Sequence, residues 1–567
     1  MKDTVFSKKR MLGGVLLSSF LAVIVFACKD LKDIANLDPL EDVNFSINAN
    51  PFTAPVMIRF VNANPTATNQ PGAFDISVSG TNADVVYMAD GSKTFKASQG
   101  LLPLGMRSKV TPSASTPLKF TIHATVSGFS PVSYNVMLTD TSQSEIQIPL
   151  VELNNPAEGT SARVASTTVD GNGNTTAAVT IVTPKTAATA DEATLTIASG
   201  TQMQDASGKA LAAGQVRMEV VNYTTTSDQS LSSFPGGFVA DNVLNASGQP
   251  MSPITFSTAG FISINMTSGG TSVKKFSKPV EVTMDLDETL TNPTTGQTIK
   301  AGETVPLWSL NEETGQWKEE GTATIYADAN GKLQAKFNIT HLSSYNLDWY
   351  TSACVNHVLN IQFRFSSSST VGRYYYVVFR DQSGRLLSYR YVYVRDGEVA
   401  SFYRHPSSPN LKIQVYDNYF SYGSAKIIGQ ATVSNPCSSG TVTLTVTPPA
   451  PPEFVNVKLN FTATNTKSKY SYRPSGWIYF YRTGGSYWWE PGSYAYLYSY
   501  YGQGSTQVIK NGTYYVYAYF NRKWEYTLIK FDPSSLPQTI NEQTLKGKAS
   551  YNSATNTIDI ALTADIK

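Results

Sequence analysis

Val358-Leu359-Asn360-Ile361-Gln362-Phe363-Arg364-Phe365 is matched, position for position in residue type, by Phe454-Val455-Asn456-Val457-Lys458-Leu459-Asn460-Phe461. Each octet opens a block that closes on an alternating strand, with Val442, Leu444 and Val446 in the first and Ile558, Ile560 and Leu562 in the second. A proline run, Pro448-Pro449-Ala450-Pro451-Pro452, stands between them as a stiff spacer. Two tandem copies of one sandwich unit, at 354–447 and 453–567, are the simplest account.

Working outward, the same period of two recurs upstream. Val56, Ile58 and Phe60 alternate, as do Phe74, Ile76 and Val78, then Phe120, Ile122, Ala124 and Val126. Tyr134, Val136 and Leu138 follow, and Ile146, Ile148 and Leu150 close the block. Runs of this kind between Gly, Pro, Asn and Ser clusters read as a β-sandwich of roughly 100 residues. The block at 51–153 resembles an immunoglobulin-like or transthyretin-like module.

A polar stretch from Asn154 to Gly173 is expected to separate it from a larger region at 174–350, in one domain or two. Strands are expected there at Leu195-Thr196-Ile197, Val216 to Val221, Phe261 to Met266 and Val280 to Met284. Val305-Pro306-Leu307-Trp308, Trp317, the turn Asp328-Ala329-Asn330-Gly331 and Phe337-Asn338-Ile339-Thr340-His341 complete the region. From Ala193 to Trp349 it resembles the ZU5-type β-sandwich. In some ZU5-type domains a His-Phe-Ser at this strand end self-cleaves. Here the residues are His341-Leu342-Ser343, and a plain strand end is the expectation.

The predicted class is therefore all-β, tandem β-sandwich domains behind an export signal. At 567 residues the chain is too long for one core. Tyrosine is abundant, at 32 residues, and aromatic and β-branched residues favour a pleated surface.

The signal is read at 1–27. Lys8, Lys9 and Arg10 precede an apolar run ending in Val25-Phe26-Ala27, and Cys28 follows. The run is about 16 residues, short of the roughly 20 that span a bilayer. The stretch resembles a bacterial lipoprotein signal, although Phe26 departs from the usual small or β-branched residue. The resemblance implies diacylglycerol and an acyl chain such as palmitate on Cys28, and two or more chains hold a protein stably at a membrane. Lys29, Asp30, Lys32 and Asp33 resemble the surface-export signal of Bacteroidota lipoproteins. A flexible tether is expected at 28–50, and the location expected is the outer membrane, lipid-anchored, facing the cell surface.

The net charge is +2 and only 15% of residues are charged, with no basic stripe, so a nucleic-acid partner is not expected. With Cys28 assigned to lipid, Cys354 and Cys437 remain as an even pair in an oxidising setting. A bridge would close a loop of about 83 residues, worth roughly 4 to 5 kcal/mol in the chain-entropy model. No cofactor and no metal are expected. His123, His341, His357 and His405 are read as lying in separate blocks. Asp170-Gly171-Asn172-Gly173-Asn174 lacks the pattern of a calcium loop and reads as a turn. Asp285, Asp287 and Glu288 read as solvated surface.

Enzyme motifs are missing: no Gly-x-Ser-x-Gly elbow, no His-Glu-x-x-His and no phosphate loop. The concentration of aromatics in the last block points instead to binding. Trp477, Tyr479 and Tyr481 alternate, Tyr487, Trp488 and Trp489 sit in the following turn, and Tyr494, Tyr496, Tyr498 and Tyr500 alternate again. Tyrosines at spacing two line one face of a sheet, where rings stack on sugars or partner side chains while hydroxyls hydrogen-bond. Trp477, Tyr479, Tyr487, Trp488, Trp489, Tyr496 and Tyr498 are the candidate ligand-binding residues. The expected function is non-catalytic binding or display, with a polysaccharide or a surface protein as partner. A scaffold lipoprotein contacting an outer-membrane protein is the first rival; an accessory hydrolase subunit or cryptic glycosidase is the second.

Overall fold

The computed structural model describes residues 53–566 apart from 108–110, 114, 142–143, 188, 235, 367–372, 418–419, 422–424, 449–452, 466, 483–493, 521–522 and 543–544. Strand accounts for 60% of the chain and helix for 2%, so the all-β class read from the period of two holds. The described residues fall into two compact units, one within Asn50–Ala450 and one within Pro451–Lys567.

In the first unit, residues 53–150 form two facing sheets of four strands. One runs Val86–Met88, Leu101–Met106, Thr53–Asn62, Ser144–Leu150; the other runs Lys96–Ala97, Phe74–Ser79, Leu118–Ala124, Val132–Leu138. The alternating residues of both inner faces close one core around Val56, Ile58, Phe60, Leu104, Phe120, Ile122 and Ile148. Thr53–Asn62 is antiparallel to Leu101–Met106 and parallel to the final strand Ser144–Leu150.

The last two sandwiches share this wiring. Ser344–Phe365 lies between antiparallel Val399–Pro406 and parallel Val442–Val446. Phe454–Asn465 lies between antiparallel Gln503–Ile509 and parallel Thr557–Ile566. The facing sheets follow one order too: Leu386–Val394, Arg373–Arg380, Leu411–Tyr416, Ile427–Val433 in one, and Tyr494–Ser499, Gly476–Arg482, Thr513–Phe520, Lys523–Lys530 in the other. The octets that betray the repeat in sequence are the central strands, each gripped from both sides.

Between these sandwiches, ten strands make one continuous hydrogen-bonded path from Val179–Val182 to Thr160–Val169. Their inward residues, including Leu195, Val220, Ile264, Val282, Leu307, Phe337 and Leu347, belong to one core. The polar spacer expected from Asn154 to Gly173 is corrected here. Thr160–Val169 is a strand paired with Gly214–Tyr223 along its whole length, from Thr160↔Tyr223 to Val169↔Gly214. Its Ser, Thr and Ala residues carry little apolar alternation, and backbone pairing alone reveals it.

No loop marks the boundary read between 350 and 354. Ser344–Phe365 is one strand of 22 residues. It pairs with Ile254–Ser268 as far as Ile254↔Ser352, and with Val399–Pro406 from Ala353↔Pro406 onward. Two sheets are thus threaded on one strand, and the Cys354–Cys437 disulfide, Cα–Cα 5.3 Å, sits just past the handover.

Candidate functional site: the aromatic sheet of the C-terminal sandwich

Within Gly476–Arg482, Ile478 and Phe480 join the core with Leu497, Val516 and Ala518. Side chains alternate along a strand, so Trp477, Tyr479 and Tyr481 leave the opposite face. Antiparallel register sets them against tyrosines on both neighbours. Trp477↔Tyr498, Tyr479↔Tyr496 and Tyr481↔Tyr494 pair on one side, and Tyr479↔Tyr517 and Tyr481↔Tyr515 on the other. Ring centroids of Trp477 lie 5.5 Å from Tyr496 and 5.5 Å from Tyr498, and Tyr481 lies 5.8 Å from Tyr517. These are aromatic contact distances.

Trp477 and Tyr479 are only 3% and 2% exposed, which corrects the expectation that they offer ring faces to a ligand. They sit on an inner strand of the sheet, Trp477 opposite Tyr498 and Tyr479 between Tyr496 and Tyr517. Burial pushes the Tyr479 phenol well above its usual range. Tyr496 and Tyr498 are half-buried at the sheet edge. Tyr487, Trp488 and Trp489 lie outside the described residues.

Among the described rings of this sandwich Tyr470, Tyr500 and Tyr501 are the most exposed, and Tyr500, the last of the alternating tyrosines read from the sequence, stands with Tyr501 at a turn. Tyr500 and Tyr501 are 54% and 62% exposed, with centroids 4.5 Å apart, edge to face. The Tyr500 N–H donates to the Gln503 carbonyl at 2.7 Å and the Gln503 N–H to Tyr500 at 3.0 Å, closing a two-residue loop of Tyr501 and Gly502. Both loop residues are left-handed, with φ of 46° and 72°. Such loops favour Asn-Gly or Asp-Gly, and a left-handed non-glycine residue costs roughly 1–2 kcal/mol. Gly502 is obligatory because a Cβ there would lie 2.2 Å from the Phe461 carbonyl oxygen. The Tyr501 N–H is held by Ser475 Oγ at 2.9 Å. The signal in sequence is the Tyr501-Gly502 pair itself, an aromatic where a turn former belongs.

The corresponding sheet of the preceding sandwich has a similar face. Tyr374↔Tyr393 and Tyr376↔Tyr391 pair across it, with Tyr374 and Tyr391 stacked at 4.8 Å. That face packs on protein: the Tyr376 hydroxyl donates to Gln147 Oε1 and the Tyr389 hydroxyl to the Ser232 carbonyl at 2.9 Å. Ser232 ends the short helix Asp228–Ser232, whose Asp228 takes a two-pronged ion pair from Arg380. The cavity at this junction, lined by Val132, Tyr134, Phe234, Phe238, Tyr389 and Arg390, is about 40 Å³. Small-molecule sites are roughly 300–1,000 Å³, so it holds water at most.

The remaining sequence candidates resolve as follows. The Asp170 carboxylate accepts the N–H groups of Asn174 and Asn172, each at 2.9 Å, which holds it below the usual carboxylate range and completes a turn. Asp285 is not solvated surface. It is 5% exposed, with Lys185 Nζ at 3.0 Å and Gln334 Nε2 at 2.6 Å. The Ser343 hydroxyl donates to the Leu310 carbonyl and His341 faces Glu320 and Tyr345, the arrangement of a packed strand end. His357 and His405, read from the sequence as lying in separate blocks, both fall within 354–447 and meet with ring centroids 5.8 Å apart. Among the described residues no group of three or more His, Cys, Asp and Glu side chains is placed to hold a metal ion. Nor is any helix among them long and apolar enough to cross a membrane.

No protein-family model matches the chain, and no curated protein matches it. Solved structures that resemble it include a minor pilin of Streptococcus agalactiae, 9% identical over 37% of this chain and 97% of the pilin, with a TM-score of 0.13. The major pilin subunit of Bacillus cereus is 9% identical over 70% of this chain and 99% of its own, TM-score 0.13. The RrgB pilus protein of Streptococcus pneumoniae is 10% identical over 92% of this chain and 99% of its own, TM-score 0.13. Likenesses at these TM-scores carry no functional argument.

Proposed function

We propose that this chain is a non-catalytic binding and display protein, lipid-anchored through Cys28 at the outer membrane and facing the cell surface. Its sandwiches act as a spacer, and its C-terminal sandwich carries the contact surface. The observation that supports this most is the Tyr500–Tyr501 tip, two exposed rings held by a strained turn. Strain of this kind clusters where function requires it, and tyrosine pairs a stacking face with a hydroxyl. Tyr496 and Tyr498 extend the patch, and Trp488 and Trp489 remain candidates from sequence. A glycan is the proposed ligand.

A protein partner is the second reading, favoured by a specific observation. The matching tyrosine face of the preceding sandwich is used within this chain to hold protein, through Tyr376 on Gln147 and Tyr389 on Ser232. The two readings separate by affinity electrophoresis in polysaccharide gels and by co-purification from membranes. Glycan binding predicts retardation of the wild-type protein that Tyr500→Ala/Tyr501→Ala and Trp488→Ala/Trp489→Ala abolish at unchanged thermal stability. A scaffold predicts no retardation and a co-purifying membrane protein lost in the same variants. Mass spectrometry of the native product tests the anchor: an unmodified Cys28 would exclude it.

A further inference from the structure

Two turns of the C-terminal sandwich lie along one edge of its strand Phe454–Asn465. Ser471–Tyr472 pairs with Thr464 and Ala463, and Gln503–Ile509 pairs with Asn460 back to Phe454, whereas parallel Thr557–Ile566 takes the other edge. The Phe461 N–H donates to the Gly502 carbonyl at 2.7 Å. Gly502 and Tyr472 are thus placed two residues apart along the strand, roughly 7 Å. The segment between the turns closes this gap. The Gly502 N–H donates to the Pro474 carbonyl at 2.9 Å, the Tyr501 N–H to Ser475 Oγ at 2.9 Å, and a Cβ on Gly502 would lie 2.9 Å from the Arg473 Cβ. Tyr470, Arg473, Tyr500 and Tyr501 therefore belong to one end of the sandwich.

The first turn brings cations to that end. Asn465 Oδ1 accepts the N–H groups of Lys467 and Ser468 at 2.9 and 2.8 Å, and the Asn465 N–H donates to the Tyr470 carbonyl at 2.9 Å. Tied down in this way, the turn leaves Lys467, Lys469 and Tyr470 exposed, and Arg473 beyond it is exposed too. Lys469 is left-handed, with φ of 60°, as Tyr501 is in the second turn. Each turn therefore holds a large side chain where a small turn former is favoured.

These charges are uncompensated. Residues 453–567 carry 12 Lys and Arg against 7 Asp and Glu, in a chain whose net charge is only +2. The sandwich pairs Lys510 with Glu453, Lys530 with Asp532 and Lys546 with Asp565. Among the described residues Lys467, Lys469 and Arg473 have no ion pair, and the stretches 461–482 and 494–503 contain no Asp or Glu. We propose that this end of the sandwich binds an anionic glycan, a polysaccharide bearing carboxylate or sulfate groups, with the tyrosine rings on sugar faces and the three cations on the anions. This class of ligand rests on the glycan reading of the tip and narrows it. Rings alone take neutral and acidic sugars alike, whereas a one-signed cluster of charge selects the acidic ones. A polynucleotide, charged at every residue, is held by a longer basic track than two turns provide.

The test is affinity electrophoresis of the full chain through gels containing polygalacturonate, dextran sulfate, neutral dextran or single-stranded DNA. Retardation is expected in one or both anionic polysaccharides, the two gels telling carboxylate from sulfate, and is expected to weaken as salt rises because exposed charges are screened. Lys467→Ala/Lys469→Ala/Arg473→Ala and Tyr500→Ala/Tyr501→Ala are each expected to weaken it about tenfold or more, or about 1.4 kcal/mol, at an unchanged thermal midpoint. Lys546→Ala, which removes a paired cation, is expected to leave it unchanged. Equal retardation by neutral dextran that the triple variant keeps would overturn the anionic class and leave the glycan reading standing. Retardation that the triple variant loses and the tyrosine variant keeps would mean ion exchange only and overturn the proposal, as would equal retardation by the DNA gel. No retardation in any of the gels would overturn it together with the glycan reading.

Discussion

Tyr501 shows how one residue can set stability against function. Its left-handed backbone is maintained by the Ser475 hydroxyl and by the closed Tyr500–Gln503 loop. Tyr501→Asn places a residue that tolerates this conformation, and the protein is expected to gain roughly 0.5–1 kcal/mol in chemical denaturation while losing ligand contact. Unchanged or lower stability would remove the argument from strain. Asp348 makes the opposite point. It is fully buried beside Arg385, whose guanidinium hydrogen-bonds instead to Ser257 and the Thr291 carbonyl. Burial raises the carboxyl well above its usual value, and the Arg385 charge only partly opposes this. The folded state therefore binds a proton that the unfolded chain has released, and stability falls as pH rises above about 4. Asp348→Asn is expected to stabilise the protein at pH 7 and to have little effect at pH 3. An equal effect at both pH values would contradict the buried-proton account.

Among the elements, the strand Ser344–Phe365 carries the largest structural consequence. It contributes Tyr345 and Leu347 to one core and Leu359, Ile361 and Phe363 to the next. Bending at the junction would break pairing on both sides. The disulfide reinforces it by closing 83 residues of chain. Cys354→Ser/Cys437→Ser is expected to cost about 4 to 5 kcal/mol in the chain-entropy model, read as a lower denaturation midpoint of this sandwich. A loss below about 1 kcal/mol would mean that the paired strands already confine the loop.

For the whole molecule, shared strands decide which pieces stand alone. The unit within Pro451–Lys567 keeps both its sheets and its core among its own residues. A piece spanning 453–567 is expected to unfold cooperatively with the midpoint it shows in the full chain. A piece spanning 354–447 begins inside the 22-residue strand and exposes the tyrosines that pack on Gln147 and Ser232. It is expected to aggregate, and a monomeric, cooperatively folded product in size-exclusion chromatography would refute this.

The sequence by itself determined what is local. Alternation of period two marked most strands, the paired octets marked the tandem copies, and the even cysteines marked the bridge that the structure contains. Tertiary structure decided what depends on partners distant in the chain. Thr160–Val169 is a strand because Gly214–Tyr223 supplies its hydrogen bonds, and no apolar pattern announces it. Trp477 and Tyr479 alternate as a binding face would, yet both are buried, with tyrosines of the neighbouring strands beside them. His357 meets His405 through a bulge that shifts register by two residues, and no spacing rule along one strand contains that shift. A side chain's facing follows from its own strand, but its burial and its company follow from the strands laid beside it.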